Sequence, residues 1–271
     1  MSRLNLYWWS KINFGKGDYE NYGDLLSKYL AEKISGKKVK WYNTKKKRLI
    51  NKKHYLSIGS IISHANKYSV IWGSGIISQE DVAVDAEYIS VRGPKTRDYL
   101  LQFGLNVPAI YGDPAILLPR YYNPEISKIY NTSIIPHYVD LQEVNNNLSD
   151  TSTNIINLLT NDIELTTDEI LSSKRIISSS LHGVIVAHTY GIPALWVKLS
   201  DKLSGDDIKF YDYFESVGLN VKTCLKLLPE ELTAEKIDSL FIHYADISLP
   251  NKDIINKLSD KLLSVCPFNN D

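Results

Sequence analysis

Three consecutive serines, a histidine and a glycine stand together in the segment RIISSSLHGVIVAHTYGIPALWV, residues 175–197. The apolar run before the serines predicts a strand, and the run after Gly183 predicts a helix. Ligands of open α/β sheets bind beyond the carboxyl ends of strands, where the N–H groups of helix N-termini attract anions. We therefore expect Ser179, Ser180 and Gly183 to bind an anion beside His182. The alternative is that the serines and His182 only cap the helix.

Polar residues follow several other predicted strands in the same way. The residues NYGDLL place Asn21, Gly23 and Asp24 directly before a helix. Asp24 serves there either as the helix N-cap or as a ligand of a sugar hydroxyl. Further strand ends carry the remaining candidates, which are Gly73, Ser74 and Gly75, Arg92 with Arg97, Asp113, and His137.

Arg92 lies at the end of a predicted strand, directly before a helix that begins with Pro94. The planar guanidinium group is a bidentate ligand for an anion, and a structural salt bridge is the alternative role. The Gly-Ser-Gly turn at 73–75 leaves its backbone open to a carboxylate or phosphate, although such turns are common. The convergence of these strand ends predicts a cleft that holds an anionic small molecule and a polar partner.

The elements that must position these residues alternate between strand and helix patterns, as in doubly wound sheets. We predict strands at 4–8, 39–42, 55–58, 70–72, 88–91, 109–111, 133–135, 155–159, 175–178 and 194–197. We predict helices at 24–34, 94–103, 167–173 and 182–190. The simplest architecture that fits this pattern is two βα domains, at 1–120 and 131–248, with a cleft between them. A C-terminal helix within 249–271 then packs back on the body through one apolar face.

Composition excludes several classes of protein. The 31 basic residues balance the 31 acidic residues, which argues against a dedicated nucleic-acid binder. The two cysteines, Cys224 and Cys266, suit a reducing compartment and lack the spacing of metal ligands. No segment approaches ~20 apolar residues, and the N-terminal apolar run is too short for a signal peptide. We expect a cytoplasmic protein without a metal site.

The region 33–79 contains no acidic residue, and GKKVKWYNTKKKRLINKK within it is dense in Lys and Arg. One interpretation is a solvated loop face. The other is a patch, centred on residues 45–48, that meets an anionic membrane surface or an anionic acceptor.

Together these motifs resemble those of the polysaccharide pyruvyl transferases, the ketal-pyruvate transferases of bacterial exopolysaccharide and capsule synthesis. The resemblance rests on NYGDLL, GSGI, VRGPKTRDYL, YGDPAILLP, IPHYVD, SSSLHGVIVAHTYGIPALWV and IKFYDYFESVGL in this order, and it covers most of the chain. It implies an α/β fold of two Rossmann-like domains facing a cleft, similar to GT-B glycosyltransferases. The N-terminal domain would face the acceptor, and the C-terminal domain would face the donor.

The resemblance implies transfer of the enolpyruvyl unit of phosphoenolpyruvate onto two hydroxyls of one sugar, with loss of phosphate and formation of a cyclic ketal. His182, which matches the family's Leu-His motif, is then the catalytic acid/base. Some members carry an arginine before this motif, and we expect Lys209 to replace it. The other expected donor-binding residues are Gly73, Ser74, Gly75, Arg92, Arg97, Ser179, Ser180, Leu181 and Gly183. The expected acceptor-binding residues are Asn21, Gly23, Asp24, Asp113 and His137.

No cofactor or metal is required by this chemistry, and no nucleic-acid partner is expected. The acceptor is a sugar or a lipid-linked oligosaccharide, and the second case would place the basic stretch against the inner face of the membrane. Two alternatives stay open on the same scaffold. One is a glycosyltransferase that uses a nucleotide-sugar donor, and the other is a non-catalytic protein that binds carbohydrate or anions. The residues do not distinguish the acceptor sugar or the position of the ketal.

Overall fold

The computed structural model describes residues 3–46, 51–148 and 153–268. Its strands are β1 (Leu4–Tyr7), β2 (Glu20–Asn21), β3 (Val39–Trp41), β4 (His54–Leu56), β5 (Ser69–Trp72), β6 (Glu87–Ser90), β7 (Ser133–Ile135), β8 (Asn154–Ile155), β9 (Leu159–Thr160), β10 (Ile176–Ser178), β11 (Ala194–Lys198) and β12 (Leu225–Lys226). Its α-helices are α1 (Tyr22–Ser35), α2 (Pro94–Leu101), α3 (Leu141–Asn147), α4 (Ile163–Leu171), α5 (Leu181–Thr189), α6 (Ile208–Ser216), α7 (Ala234–His243) and α8 (Lys252–Ser264). None of these helices is long and apolar enough to cross a membrane.

The two larger sheets are parallel and share one strand order. The first sheet has the order β3-β1-β4-β5-β6, and the second has β8-β7-β10-β11-β12. Numbered along the chain within each sheet, both read 2-1-3-4-5, which is a doubly wound order. The predicted α/β class with parallel sheets is confirmed. The arrangement as two GT-B-like domains around a cleft, with the boundaries given above, stays a prediction.

Burial explains why these short segments form strands. Strands β4, β5, β7 and β10 are buried along their whole length, as expected of parallel strands covered on both faces. Helix α1 buries Tyr22, Leu26 and Leu30, whose spacing of four residues forms one apolar face. Its first turn is capped by the side chain of Asn21, which accepts a hydrogen bond from the Gly23 N–H. The interpretation of Asp24 as the N-cap is therefore wrong.

Several contacts join the halves of the chain. Strand β2 pairs with β9 in antiparallel register, which brings Asn21 opposite Leu159. The Tyr22 hydroxyl lies 2.7 Å from Thr167 Oγ1. Helix α8 lies against elements of the first half, because the Trp72 indole N–H donates to the Leu262 carbonyl at 3.1 Å. The start of α1 is thereby fixed relative to elements of the second half.

Three predicted elements differ in the structure. The single strand at 155–159 is wrong, because β8 and β9 belong to different sheets. The strand at 109–111 is reduced to one parallel bridge between Tyr111 and Val91. The helix expected at 167–173 begins at Ile163, since Asp162 accepts a hydrogen bond from the Leu165 N–H and caps the helix earlier.

Candidate active site

Residues that follow strands of both larger sheets, together with residues of α1, α5 and α6, line a cavity of about 310 Å³. Its lining residues are Trp9, Asn21, Asp24, Gly59, Ser60, Ile61, Ser63, His64, Ile77, His137, Tyr138, Ser180, Leu181, His182, Ser204 and Lys209. A larger cavity of about 640 Å³ beside α6 is lined by none of the predicted site residues. We place the candidate site in the smaller cavity because seven of the residues predicted from the sequence line it, namely Asn21, Asp24, His137, Ser180, Leu181, His182 and Lys209.

The strand order explains why these residues meet. Ligands of a doubly wound sheet bind where the strand order reverses. In the first sheet this point lies between β1 and β4, and Trp9 and residues 59–61 follow those strands. In the second sheet it lies between β7 and β10, and residues 137–138 and 180–182 follow those strands. The cavity therefore joins the switch points of both sheets.

His182 lies in the first turn of α5 with only 12% of its side chain exposed. Its Nε2 atom lies 3.6 Å from the Oδ2 atom of Asp113, which is fully buried. The other oxygen of Asp113 accepts a hydrogen bond of 3.0 Å from the Ala115 N–H and so caps the 3₁₀ helix Pro114–Arg120. Asp113, expected to bind the acceptor, lies behind His182 and does not line the cavity.

Gly23 packs against the His182 imidazole on the side away from Asp113. A Cβ atom at this position would overlap the Nδ1 atom of His182. Gly23, which was expected to bind the acceptor, therefore packs against the catalytic candidate instead. The Nδ1 atom faces the start of α1, which carries Asn21 and Asp24 into the cavity. Only glycine permits this close approach of helix and histidine.

The N-terminus of α5 can accept an anion. Its N-cap, Ser180, makes no capping hydrogen bond with its side chain. The first intrahelical bond is donated by Val184 to the Ser180 carbonyl, so the N–H groups at 181–183 precede the hydrogen-bonded turns. Since Ser180 and Leu181 line the cavity, the hydroxyl and these N–H groups are available to a ligand there.

Two charged side chains in the cavity have strongly shifted pKa values. Burial raises the pKa of the Asp24 carboxyl to about 7, although the neighbouring His182 opposes this rise. Burial, together with the charge of Arg92, lowers the pKa of the Lys209 ammonium to about 8. The Asp24 carboxylate accepts no hydrogen bond from the residues that the structure describes. A carboxyl and an amine that titrate this close to neutrality are typical of catalytic and binding sites.

Two further histidines in the cavity are neutral at neutral pH. Burial is the main cause that lowers the pKa of His137 and of His64 to about 4, with positive charges as the lesser cause. The backbone N–H of His137 donates to Ser179 Oγ at 2.8 Å, and that serine in turn donates to Asp140. Ser179 thus holds the loop that carries His137 and does not itself line the cavity.

Arg92 forms a structural salt bridge, which is the alternative role that the sequence left open. It is fully buried, and its Nε atom lies 3.0 Å from Asp212 Oδ2. Its Nη1 and Nη2 atoms donate to Ser60 Oγ at 2.6 Å and to the Ile76 carbonyl at 2.8 Å. Asp212 also accepts hydrogen bonds from the backbone N–H and the hydroxyl of Thr96. Arg92 therefore joins the wall at Ser60 to α6, the helix that carries Lys209.

The other expected donor ligands also lie outside the lining of the cavity. Arg97 donates from Nε to the Val107 carbonyl at 3.0 Å. The Ser74 hydroxyl donates to the Gly59 carbonyl at 2.7 Å. The three remaining glycines permit close packing, because a Cβ atom would overlap Pro114 at Gly73, Arg92 at Gly75, and Ser178 at Gly183. None of these residues lines the cavity. Gly183 differs from the others because its backbone N–H lies in the first turn of α5, next to Leu181 and His182, which do line it.

The sequence reasoning missed several lining residues, which are Trp9, Gly59, Ser60, Ile61, Ser63, His64, Ile77, Tyr138 and Ser204. Trp9 follows β1, and residues 59–61 follow β4, so the strand order would have identified them. His64 lies on a short 3₁₀ helix, Ile62–His64, for which the sequence carried no recognisable signal. Tyr138 was part of the motif IPHYVD, but only its histidine was selected.

The basic stretch reaches the neighbourhood of the cavity. Lys45 contributes to the lowered pKa of His64, although burial is the larger cause. Lys45 and Lys46 are exposed, whereas Lys47 and Arg48 lie outside the described residues. The interpretation of 45–48 as a membrane or acceptor patch stays a prediction.

Comparison with known proteins adds independent findings. The family model described as polysaccharide pyruvyl transferase matches residues 18–201. This match includes Asp24, Asp113, His137 and His182, and it ends before Lys209. The chain is also similar to an uncharacterized protein of Acanthamoeba polyphaga mimivirus. The two are 39% identical over 208 residues, which cover 73% of this chain and 71% of the viral protein.

Proposed function

The chain belongs to the polysaccharide pyruvyl transferase family, and on that premise we propose that phosphoenolpyruvate is its donor. The enolpyruvyl unit passes to two hydroxyls of one sugar, in a polysaccharide or its lipid-linked precursor. Phosphate leaves, and a cyclic pyruvate ketal forms. The observation that carries this proposal is the convergence of His182, Lys209 and the N-terminus of α5 in one cavity.

The donor binds as an anion. Its phosphate lies at the N-terminus of α5, where the N–H groups at 181–183 and the Ser180 hydroxyl donate hydrogen bonds. Lys209 adds a positive charge from the facing α6 and takes the place of the arginine that some family members carry before Leu-His. The low pKa of Lys209 favours this role, because a bound dianion restores the charged form that burial disfavours.

His182 donates the proton that carbon 3 of the donor takes up. A sugar hydroxyl attacks carbon 2 of the enol, and carbon 3 takes up a proton to become a methyl group. Nδ1 of the protonated imidazole supplies this proton, because Nε2 faces the buried Asp113. Asp113 acts as a positioning residue that favours the imidazolium form, as the carboxylate does in acid/base triads. Proton transfer by a positioned group contributes about 10²–10⁴-fold to a rate.

The acceptor lies in the same cavity, beside the donor. Asn21 and Asp24 at the start of α1 and neutral His64 and His137 offer acceptors and donors for sugar hydroxyls. The aromatic rings of Trp9 and Tyr138 add apolar surface to the same cavity. A pyranoside with two neighbouring free hydroxyls fits this mixture of polar and aromatic groups.

A direct assay tests this function. The protein is incubated in D₂O with phosphoenolpyruvate and a panel of pyranosides that carry free 4,6- or 3,4-hydroxyl pairs. We expect phosphate release together with a product that has gained a ketal whose methyl group carries one deuterium. His182→Ala abolishes this product, whereas the exposed His243→Ala on α7 does not. Sugar transfer from a nucleotide-sugar donor in a parallel incubation, without any ketal, would favour the glycosyltransferase alternative.

A further inference from the structure

The proposed reaction requires more proton transfers than one histidine can perform. Each of two sugar hydroxyls loses a proton, carbon 3 gains one, and the departing phosphate gains one. His182 must be protonated at the first attack in order to supply carbon 3. It cannot at the same moment accept the proton of the attacking hydroxyl. A second group in the cavity must accept that proton.

Asp24 is placed to be this group. It lies in the first turn of α1, directly after the glycine that packs against the His182 imidazole. It lines the cavity together with His182 and Lys209. Its carboxylate is not used by the fold, since the cap of α1 is Asn21 and no described residue donates a hydrogen bond to Asp24. Among the described residues, no hydrogen bond accounts for the position of this carboxylate in the cavity wall.

We propose, on the basis of the proposed function, that Asp24 is a catalytic residue that carries the proton of the first sugar hydroxyl to the departing phosphate. In the first step the O–H bond of that hydroxyl breaks, its proton passes to the Asp24 carboxylate, and its oxygen bonds to carbon 2. His182 protonates carbon 3 in the same step. The product of this step is an adduct that holds both the sugar and the phosphate on carbon 2.

The second step returns every group to its starting state. The bond between carbon 2 and the phosphate oxygen breaks, and protonated Asp24 gives its proton to the leaving phosphate. The second hydroxyl then bonds to carbon 2, and neutral His182 accepts the proton of that hydroxyl. The ketal and inorganic phosphate leave behind imidazolium and carboxylate, as at the start. Atoms and protons balance without any further reactant.

The surroundings of Asp24 suit a group that both accepts and donates a proton near neutrality. Burial and the charge of Glu20 raise its pKa, and His182 and Lys209 oppose this rise. The hydroxyls of Tyr7 and Tyr138 also interact with its charge. A pKa of about 7 lets the group act in both directions at neutral pH.

The test compares Asp24→Asn and Asp24→Glu with wild type, on the pyranoside that the assay above identifies. Asparagine keeps the size and hydrogen-bonding ability of aspartate but cannot carry a proton. We expect kcat of Asp24→Asn to fall about 10²–10⁴-fold, with KM for the sugar within a few-fold of wild type. Wild-type kcat should rise with pH through about pH 7, because Asp24 ionises there. This rise should persist in Asp24→Glu and be absent in Asp24→Asn. The exposed Asp98→Asn on α2 is the matched control.

The outcomes separate this inference from the proposed function. If wild type converts none of the sugars, the proposed function falls, and the role of Asp24 falls with it. If wild type converts one and Asp24→Asn raises only KM, Asp24 merely binds the acceptor and the inference is overturned. If Asp24→Asn does not fold, the wild-type pH profile and Asp24→Glu decide the matter. If kcat rises through about pH 7 in neither wild type nor Asp24→Glu, the proposal is overturned.

Discussion

The Nε2 atom of His182 lies 3.6 Å from the Oδ2 atom of Asp113, and neither atom has a hydrogen-bond partner among the described residues. This separation is just beyond a hydrogen bond, and such bonds in ligand-free sites commonly tighten when a substrate binds. The buried carboxylate thus directs one ring nitrogen away from the cavity. The other nitrogen is left to face the start of α1.

Asp113→Asn tests whether the carboxylate positions His182 and stabilises its charged form. Asparagine can still accept the hydrogen bond from the Ala115 N–H, so the 3₁₀ helix should keep its cap. We expect kcat for ketal formation to fall by about 10²-fold or more, because the imidazolium loses its stabilising charge. The melting temperature should change little. An unaltered pH profile of kcat would show that Asp113 has no influence on His182.

Gly23→Ala tests the packing of α1 against the imidazole. The added methyl group overlaps Nδ1 of His182, so the ring must leave its position. We expect activity to fall at least as far as in His182→Ala, and the free energy of unfolding to fall by about 1–3 kcal/mol, as in overpacked cores. Denaturant unfolding and steady-state rates measure the two effects. Full activity in Gly23→Ala would contradict the position assigned to His182.

Arg92→Met tests the structural role of the buried pair. Because Asp212 would be left buried without its partner, we expect the free energy of unfolding to fall by about 3–5 kcal/mol. The exposed pair between Arg120 and Asp260 is the control, and Arg120→Met should cost under about 1 kcal/mol. A large loss of phosphoenolpyruvate affinity at unchanged stability would instead return Arg92 to the donor site.

Lys209→Met tests the proposed phosphate contact and its pH dependence. The pKa of Lys209 is lowered to about 8, so its positive charge is present below that value and lost above it. Affinity for phosphoenolpyruvate should therefore decrease in wild type between about pH 7 and about pH 9.5, with the midpoint moved upward by the bound dianion. Calorimetry should find weaker binding in Lys209→Met, without the further decrease that the loss of the Lys209 charge causes above about pH 8. Exposed Lys257→Met should behave like wild type.

Local patterns in the sequence were sufficient to predict many of the residues that line the candidate site. The apolar run before the serines and the polar motif after it placed Ser180, Leu181 and His182 at the end of a strand, where β10 and α5 meet. The same reasoning brought Asn21 and Asp24 to the start of α1. Such junctions depend only on neighbouring residues, so a single sequence reveals them.

Long-range pairing could not be obtained in that way. The partner of Arg92 is Asp212, which lies 120 residues further along the chain, and nothing in the local sequence of either residue identifies the other. The same holds for Asp113 behind His182. Trp9 and residues 59–61 can be identified as site residues only from the strand order. That order places β1 and β4 on either side of the point where it reverses.

That phosphoenolpyruvate is the donor is tested most directly by thermal unfolding of the purified protein with this ligand. Parallel samples contain UDP, GDP or CMP, and each series is repeated with His182→Ala. At a ligand concentration about 100 times its dissociation constant, phosphoenolpyruvate alone should stabilise both proteins by about 2–3 kcal/mol. Stabilisation by a nucleotide, with no effect of phosphoenolpyruvate, would contradict pyruvyl transfer and identify a nucleotide-sugar donor.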